Sequence, residues 1–261
     1  MTVLGEILAR KAKEVEASRA ALPERELLAR ALGAPAPRSL AAALSGRGGP
    51  VRIVAEVKRA SPSAGAIDAS LDAPAQALRY ARAGAAAVSV LTDGPGFGGS
   101  LADLAAARAA VSIPLLRKDF VLERYQLLEA RLHGADAALL IVAALPGDLL
   151  RRRLEDCDEL GLSALVEVHD EHEAEAAVRA GARIVGVNNR DLRTFRVDLG
   201  ASERVLPLLP PDALGVAESG IRGPEEVRRL RAAGAANFLV GEALVRALDP
   251  ATLLRAMVAA G

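Results

Sequence analysis

Four lysines stand in this sequence against 29 arginines, and two of the four, Lys58 and Lys118, close short apolar runs that read IVAEVK and PLLRK. A chain that uses Arg wherever a generic cation serves marks each Lys as a place for a compact, titratable ammonium. Only three Asn occur, and Asn188 and Asn189 again close such a run. With the period-two alternation of a strand, Glu56 and Lys58 share a face roughly 7 Å apart. Glu167 in ALVEVHD lies on the face of Leu165, Asn188 and Arg190 share one in GVNNRDL, and Ser219 ends AESGI. Two Lys, two Glu, an Asn, an Arg and a Ser crowded at strand ends are costly unless they pair or meet a charged substrate. They suit acid/base chemistry on an anionic carbonyl compound, and either lysine would also serve a Schiff base.

Eight β-type runs must position these groups: 51–58, 86–92, 114–120, 137–142, 163–168, 184–190, 213–219 and 237–241. Segments with apolar residues at helical spacing separate them, at 73–83, 124–133, 146–160, 171–180 and 224–233. Several end in Gly84, Gly134, Gly181 or Gly234, the residue that turns left-handed to stop a helix. Eight such units in about 210 residues predict a (β/α)8 TIM barrel, an α/β fold that works at the C-terminal ends of its strands. Residues 1–50 read as an N-terminal helical extension, with Leu4, Ile7, Leu8 and Val15 on one stripe, and the whole of 1–261 as a single domain. The loops after strands seven and eight are the usual phosphate site of such barrels, and backbone N–H groups near Ser219, Gly220, Gly241 and Glu242 are expected to form it.

Composition removes other classes. The chain has 261 residues, 51% of them hydrophobic, and a net charge of zero, so neither nucleic acid nor a membrane is an expected partner. No apolar run reaches the length of a span, and the N-terminus is charged too early for a secretory signal, which predicts a cytoplasmic protein. One cysteine, Cys157, makes neither an internal disulfide nor a thiolate cage. His169 and His172 lie three apart but have no third ligand nearby, and read as a solvated helix start rather than a metal site. GPGFGGS at 94–100 lacks a P-loop lysine and reads as a flexible loop. Six aromatics leave little to stack on a flavin or a base.

In order and spacing, AEVKRASPSAG, LLRKDF, ALVEVH, GVNNRDL, AESGI and FLVGEAL resemble the indole-3-glycerol phosphate synthases of tryptophan biosynthesis, over essentially the whole chain. The resemblance implies a small phosphorylated substrate, 1-(2-carboxyphenylamino)-1-deoxyribulose 5-phosphate, closed to indole-3-glycerol phosphate with loss of CO2 and water. It implies that neither metal nor organic cofactor is required. By resemblance Lys118 is the acid of ring closure, Glu167 and Lys58 share the dehydration, Glu56 orients Lys58, and Asn188 and Ser219 position the reacting part. Arg190 contacts an anionic group, Ser61, Phe120 and Leu192 line the pocket, and Gly220, Gly241 and Glu242 hold phosphate. Glu242 stands where some members carry a small hydroxyl residue. No feature of the chain singles out another enzyme of the pathway as a partner. Removal of residues 1–45 is expected to leave a folded barrel that binds substrate more weakly.

Overall fold

The computed structural model describes residues 3–62, 65–191 and 194–261. Its eight parallel strands are β1 (Arg52–Val57), β2 (Ala87–Leu91), β3 (Leu115–Lys118), β4 (Ala137–Ile141), β5 (Ser163–Val168), β6 (Ile184–Asn188), β7 (Leu214–Glu218) and β8 (Asn237–Val240). They pair in chain order, and β8 closes on β1 through Arg52 and Asn237. All eight expected runs are therefore strands of one closed barrel. Gly84, Gly134, Gly181 and Gly234 have φ between 81° and 100°, and each ends a helix three residues before the next strand begins. The helices Leu101–Ala110, Gly200–Val205, Glu242–Arg246 and Pro250–Val258 complete the ring. The first of these is alanine-rich and lacks a clear apolar stripe to announce it.

Outward-facing strand residues such as Val88, Leu140, Val166 and Phe238 pack under the helices, while Val54, Leu116, Leu165, Ile184 and Val216 fill the barrel. The register sorts the filling into rings of four from alternate strands. Rising two residues at every second strand, Glu56, Lys118, Glu167 and Glu218 form one ring from β1, β3, β5 and β7. Beneath it the even strands supply Ser89, Leu139, Gly186 and Leu239, and above it Leu91, Ile141, Asn188 and Gly241. The charged ring thus sits at the mouth, on an apolar floor.

The N-terminal extension runs from one end of the barrel to the other. Helix α1 (Val3–Ala21) brings Val3, Leu4 and Ile7 to the mouth. Helix α2 (Glu24–Gly33) packs on the helix Arg124–Leu132. The short helix α3 (Leu40–Ala43) closes the opposite end, where Leu40 and Leu44 join the interior cluster. Its surroundings bind strand beginnings: Leu40 N–H donates to Ser163 Oγ at 3.3 Å and Ser45 N–H to Asn237 Oδ1 at 2.9 Å.

A third lysine is buried as well. Lys11 of α1 places its ammonium 2.6 Å from Asp93 and 3.0 Å from Asp119, at the ends of β2 and β3. Burial works against that ammonium, but Asp119 and hydrogen bonds to Asp93 and Glu14 outweigh it and raise its pKa. Desolvation likewise penalises Asp119, yet Arg117 and Lys11 hold its carboxyl well below the usual range. Removal of residues 1–45 would take away both this network and the Leu40 plug. Removing one partner of a buried pair costs about 3–5 kcal/mol, so Lys11→Met is expected to lose that much in urea unfolding at pH 7. The Asp119 contribution exists above its unfolded pKa and disappears as pH falls through the depressed folded value. Hence the gap between Lys11→Met and the parent narrows only in strong acid.

Candidate active site

A cavity of about 670 Å³ opens at the C-terminal ends of the strands. Its wall includes Glu56, Lys58, Ser61, Lys118, Phe120, Glu167, Asn188, Arg190, Ser219, Gly220, Gly241 and Glu242, so the structure gathers every expected site residue but one. Leu192 lies outside the described residues. The loop 94–100, expected to be flexible, is tied down by hydrogen bonds from Gly98 N to Gly94 O and from Gly99 N to Asp93 O. Through it Phe97 reaches the cavity and packs against Phe120 at 6.0 Å between ring centroids.

At the centre, Lys118 Nζ donates to Glu167 Oε2 at 3.1 Å and to Glu218 Oε2 at 2.8 Å. Burial disfavours this ammonium, but Glu218, Glu167 and Glu56 together raise its pKa above the ordinary lysine value. Glu167 takes a second donor on its other oxygen, Asn188 Nδ2 at 3.1 Å. Desolvation would raise the Glu167 carboxyl, and the charges of Lys118 and His169 together with the hydrogen bonds from Asn188 and Lys118 override it, so Glu167 is ionised at neutral pH. Glu218 goes the other way. Burial, reinforced by the neighbouring Glu167 charge, pushes its carboxyl up to about 7 in spite of Lys118. Lys58 Nζ donates to Glu56 Oε1 at 2.8 Å, as period two requires; burial works against the Glu56 charge, and Lys58 and Lys118 together keep its pKa low.

Glu218 is not among the site residues expected from AESGI, where Ser219 and Gly220 are the ones singled out. The signal was present: two residues beyond Val216, Glu218 faces inward. Its place is cleared by Gly186, where an added Cβ would overlap Glu218 Oε1. Gly241 does the same for Glu56, since a Cβ there would lie 2.5 Å from Glu56 Oε1. Gly241 is thus not free to vary independently of the Glu56–Lys58 pair, as a purely phosphate-binding glycine would be. Ser219 and Gly220 both turn left-handed, at φ of 65° and 77°. Asn189 steadies that turn by donating through Nδ2 to Ser219 O at 3.1 Å, while its Oδ1 accepts from Ser202 N–H at 3.0 Å. Arg190 donates to Phe195 O at 3.2 Å and stands 3.9 Å from Glu242, which itself pairs with Arg246 at 3.1 Å.

The rim so described carries its motifs within a stretch that a family model, Indole-3-glycerol phosphate synthase, matches over residues 4–257. The chain belongs to the indole-3-glycerol phosphate synthase family. An indole-3-glycerol phosphate synthase of Streptomyces griseus is 49% identical over 261 residues, covering 100% of this chain and 96% of that protein. One of Parafrankia sp. is 52% identical over 249 residues, 95% of this chain and 90% of its own. Another, from Desulfosudis oleivorans, is 46% identical and covers 98% of both. Among solved structures, a thiamine phosphate pyrophosphorylase from Pyrococcus furiosus superposes with a TM-score of 0.58 over 80% of this chain and 94% of its own. At 17% identity it shares with this synthase-family chain the fold alone.

His172 is exposed, as a helix start suggests, but His169 is not solvated: Nδ1 lies 3.0 Å from Glu173 and Nε2 3.5 Å from Glu167. No group of three or more His, Cys, Asp or Glu able to hold a metal occurs among the described residues, and no described helix is long and apolar enough to cross a membrane.

Proposed function

We propose that the chain closes 1-(2-carboxyphenylamino)-1-deoxyribulose 5-phosphate to indole-3-glycerol phosphate, releasing CO2 and water, by acid/base catalysis from its own side chains. The observation that carries this reading is the Glu167–Lys118–Glu218 arrangement beside the Glu56–Lys58 pair, in one mouth of a family member. In ring closure the aromatic carbon bearing the carboxylate attacks the ketone carbon. Lys118 donates its proton to the developing alkoxide, which is more basic than any amine. Loss of CO2 then returns the electron pair to the ring. Dehydration follows: the Lys58 ammonium protonates the departing hydroxyl, and the ionised Glu167 takes the remaining proton. Glu56 holds Lys58 in place, and Asn188 does the same for Glu167.

The phosphate is assigned to the backbone N–H groups around Ser219, Gly220, Gly241 and Glu242, at the ends of β7 and β8. Arg190, with Ser61 and Phe120 on the opposite wall, is assigned to the anthranilate carboxylate side. The same pairing argues against a Schiff base at Lys118, since an amine held protonated by three carboxylates is a poor nucleophile. A cytoplasmic location and a single (β/α)8 domain over 1–261 belong to this proposal.

The test is turnover of the carboxyphenylamino ribulose phosphate in the presence of EDTA, followed by indole emission. The chain contains no Trp, so the protein background is low. Unchanged turnover is expected. Product that disappears with EDTA and returns with a divalent ion would overturn the cofactor-free mechanism.

A further inference from the structure

We propose that His169 is a positioning residue for Glu167, its imidazolium joining Glu173 on the outside of the mouth to the Glu167 carboxylate within. The inference rests on the assignment of Glu167 as a reacting carboxylate. His169 follows β5 directly, and Asp170 caps the next helix, Glu171–Ala180. From that helix Glu173 Oε2 accepts the His169 backbone N–H at 2.8 Å and meets ring Nδ1 at 3.0 Å. A carboxylate only accepts, so Nδ1 carries the proton. The ring is thereby fixed with its other nitrogen facing inward. Nε2 stands 3.5 Å from Glu167 Oε1, is buried, and has no hydrogen-bond partner among the described residues.

A neutral ring would aim the Nε2 lone pair at a carboxylate across that gap, with no water-exposed alternative. A proton on Nε2 turns the same contact into an ion pair. The charges around it all favour the cation: Glu173 from the helix, Glu167 from β5 and Glu218 from β7. Burial lowers the His169 pKa, and Glu173 and Glu167 more than restore it, leaving a net raise. Lys118, from β3, takes the other oxygen, Oε2, whereas Asn188, from β6, donates to the same Oε1 that Nε2 faces, an oxygen with two lone pairs and so room for both donors. Arg204, from the helix Gly200–Val205, pairs with Glu171 at 3.0 Å and leaves Glu173 to the histidine. His169 is in turn one of the charges that keeps Glu167 ionised, after Lys118.

In His169→Gln, kcat is expected to fall about 10-fold with KM within about twofold. The acid limb of the kcat profile is expected to move to higher pH, because Glu167 loses a cation that favours its charged form. Unchanged kcat and an unmoved limb would overturn the proposal. Nuclear magnetic resonance supplies a readout that needs neither that variant nor turnover, since the chain has only three histidines. His169 is expected to titrate above the ordinary imidazole value in the parent, and lower in Glu167→Gln. An identical titration in both proteins would show that the two residues are not coupled. Failure of the reading of the site itself would instead appear as absent indole formation by the parent protein.

Discussion

Lys118→Arg is expected to lower kcat by about 100-fold or more, the size of a lost general acid. Arg keeps the positive charge between Glu167 and Glu218, so binding of an anionic substrate changes less than the rate. The planar fork of a guanidinium does not superimpose on a point-like ammonium, so it does not bring an N–H to the ketone oxygen from the position that Lys118 Nζ holds between Glu167 and Glu218. The contrast between kcat and KM carries the argument. Steady-state kinetics by indole emission measure both. A variant with near-parental kcat would remove Lys118 from the acid role.

Gly186→Ala is expected to cost nearly as much without touching a charged residue. The added methyl would occupy the space of Glu218 Oε1 and lie 3.2 Å from Leu165 Cδ1, and of the two only Glu218 borders the open cavity into which it can move. Glu218 must swing away, and Lys118 then leans on Glu167 alone. A displacement of about 1 Å in a catalytic group is worth about 100-fold in rate, and overpacking of a filled interior costs about 1–3 kcal/mol. Kinetics together with urea unfolding read the two effects separately. Parental kcat in a folded Gly186→Ala would mean that the position of Glu218 is unimportant.

The barrel was legible because each strand is apolar on both faces and most helices stop at a glycine before the next strand. Within the site, scarcity did much of the work: Lys58, Lys118 and Asn188 stood out against a background of Arg and Ala. Lys11, Asn189 and Asn237 belong to the same scarce residue types, and the structure shows them binding α1, the Ser219 turn and the barrel floor. Their roles are long-range contacts, from Lys11 to Asp119 and from Asn237 to Ser45, and no local pattern encodes such a contact. Period two placed Glu56 and Glu167 and would have placed Glu218. Gly186 was invisible for a different reason, since a glycine that clears space for a side chain on the neighbouring strand makes sense only once the register is known. His169 hid in the same way, because its partners Glu167 and Glu173 lie on either side of it and flank a strand-to-helix turn.

The central claim is an order of events: Lys118 acts before CO2 leaves, and Lys58 acts after. It is tested most directly by a single turnover of substrate labelled in the carboxylate, with released CO2 and indole followed together in Lys58→Met. Lys58 pairs with Glu56 at 2.8 Å, whereas Lys118 pairs with Glu167 and Glu218, so the variant leaves the acid of ring closure in place. The prediction is CO2 release that clearly outruns indole formation. Loss of CO2 and indole in equal measure would contradict it and place Lys58 at or before ring closure.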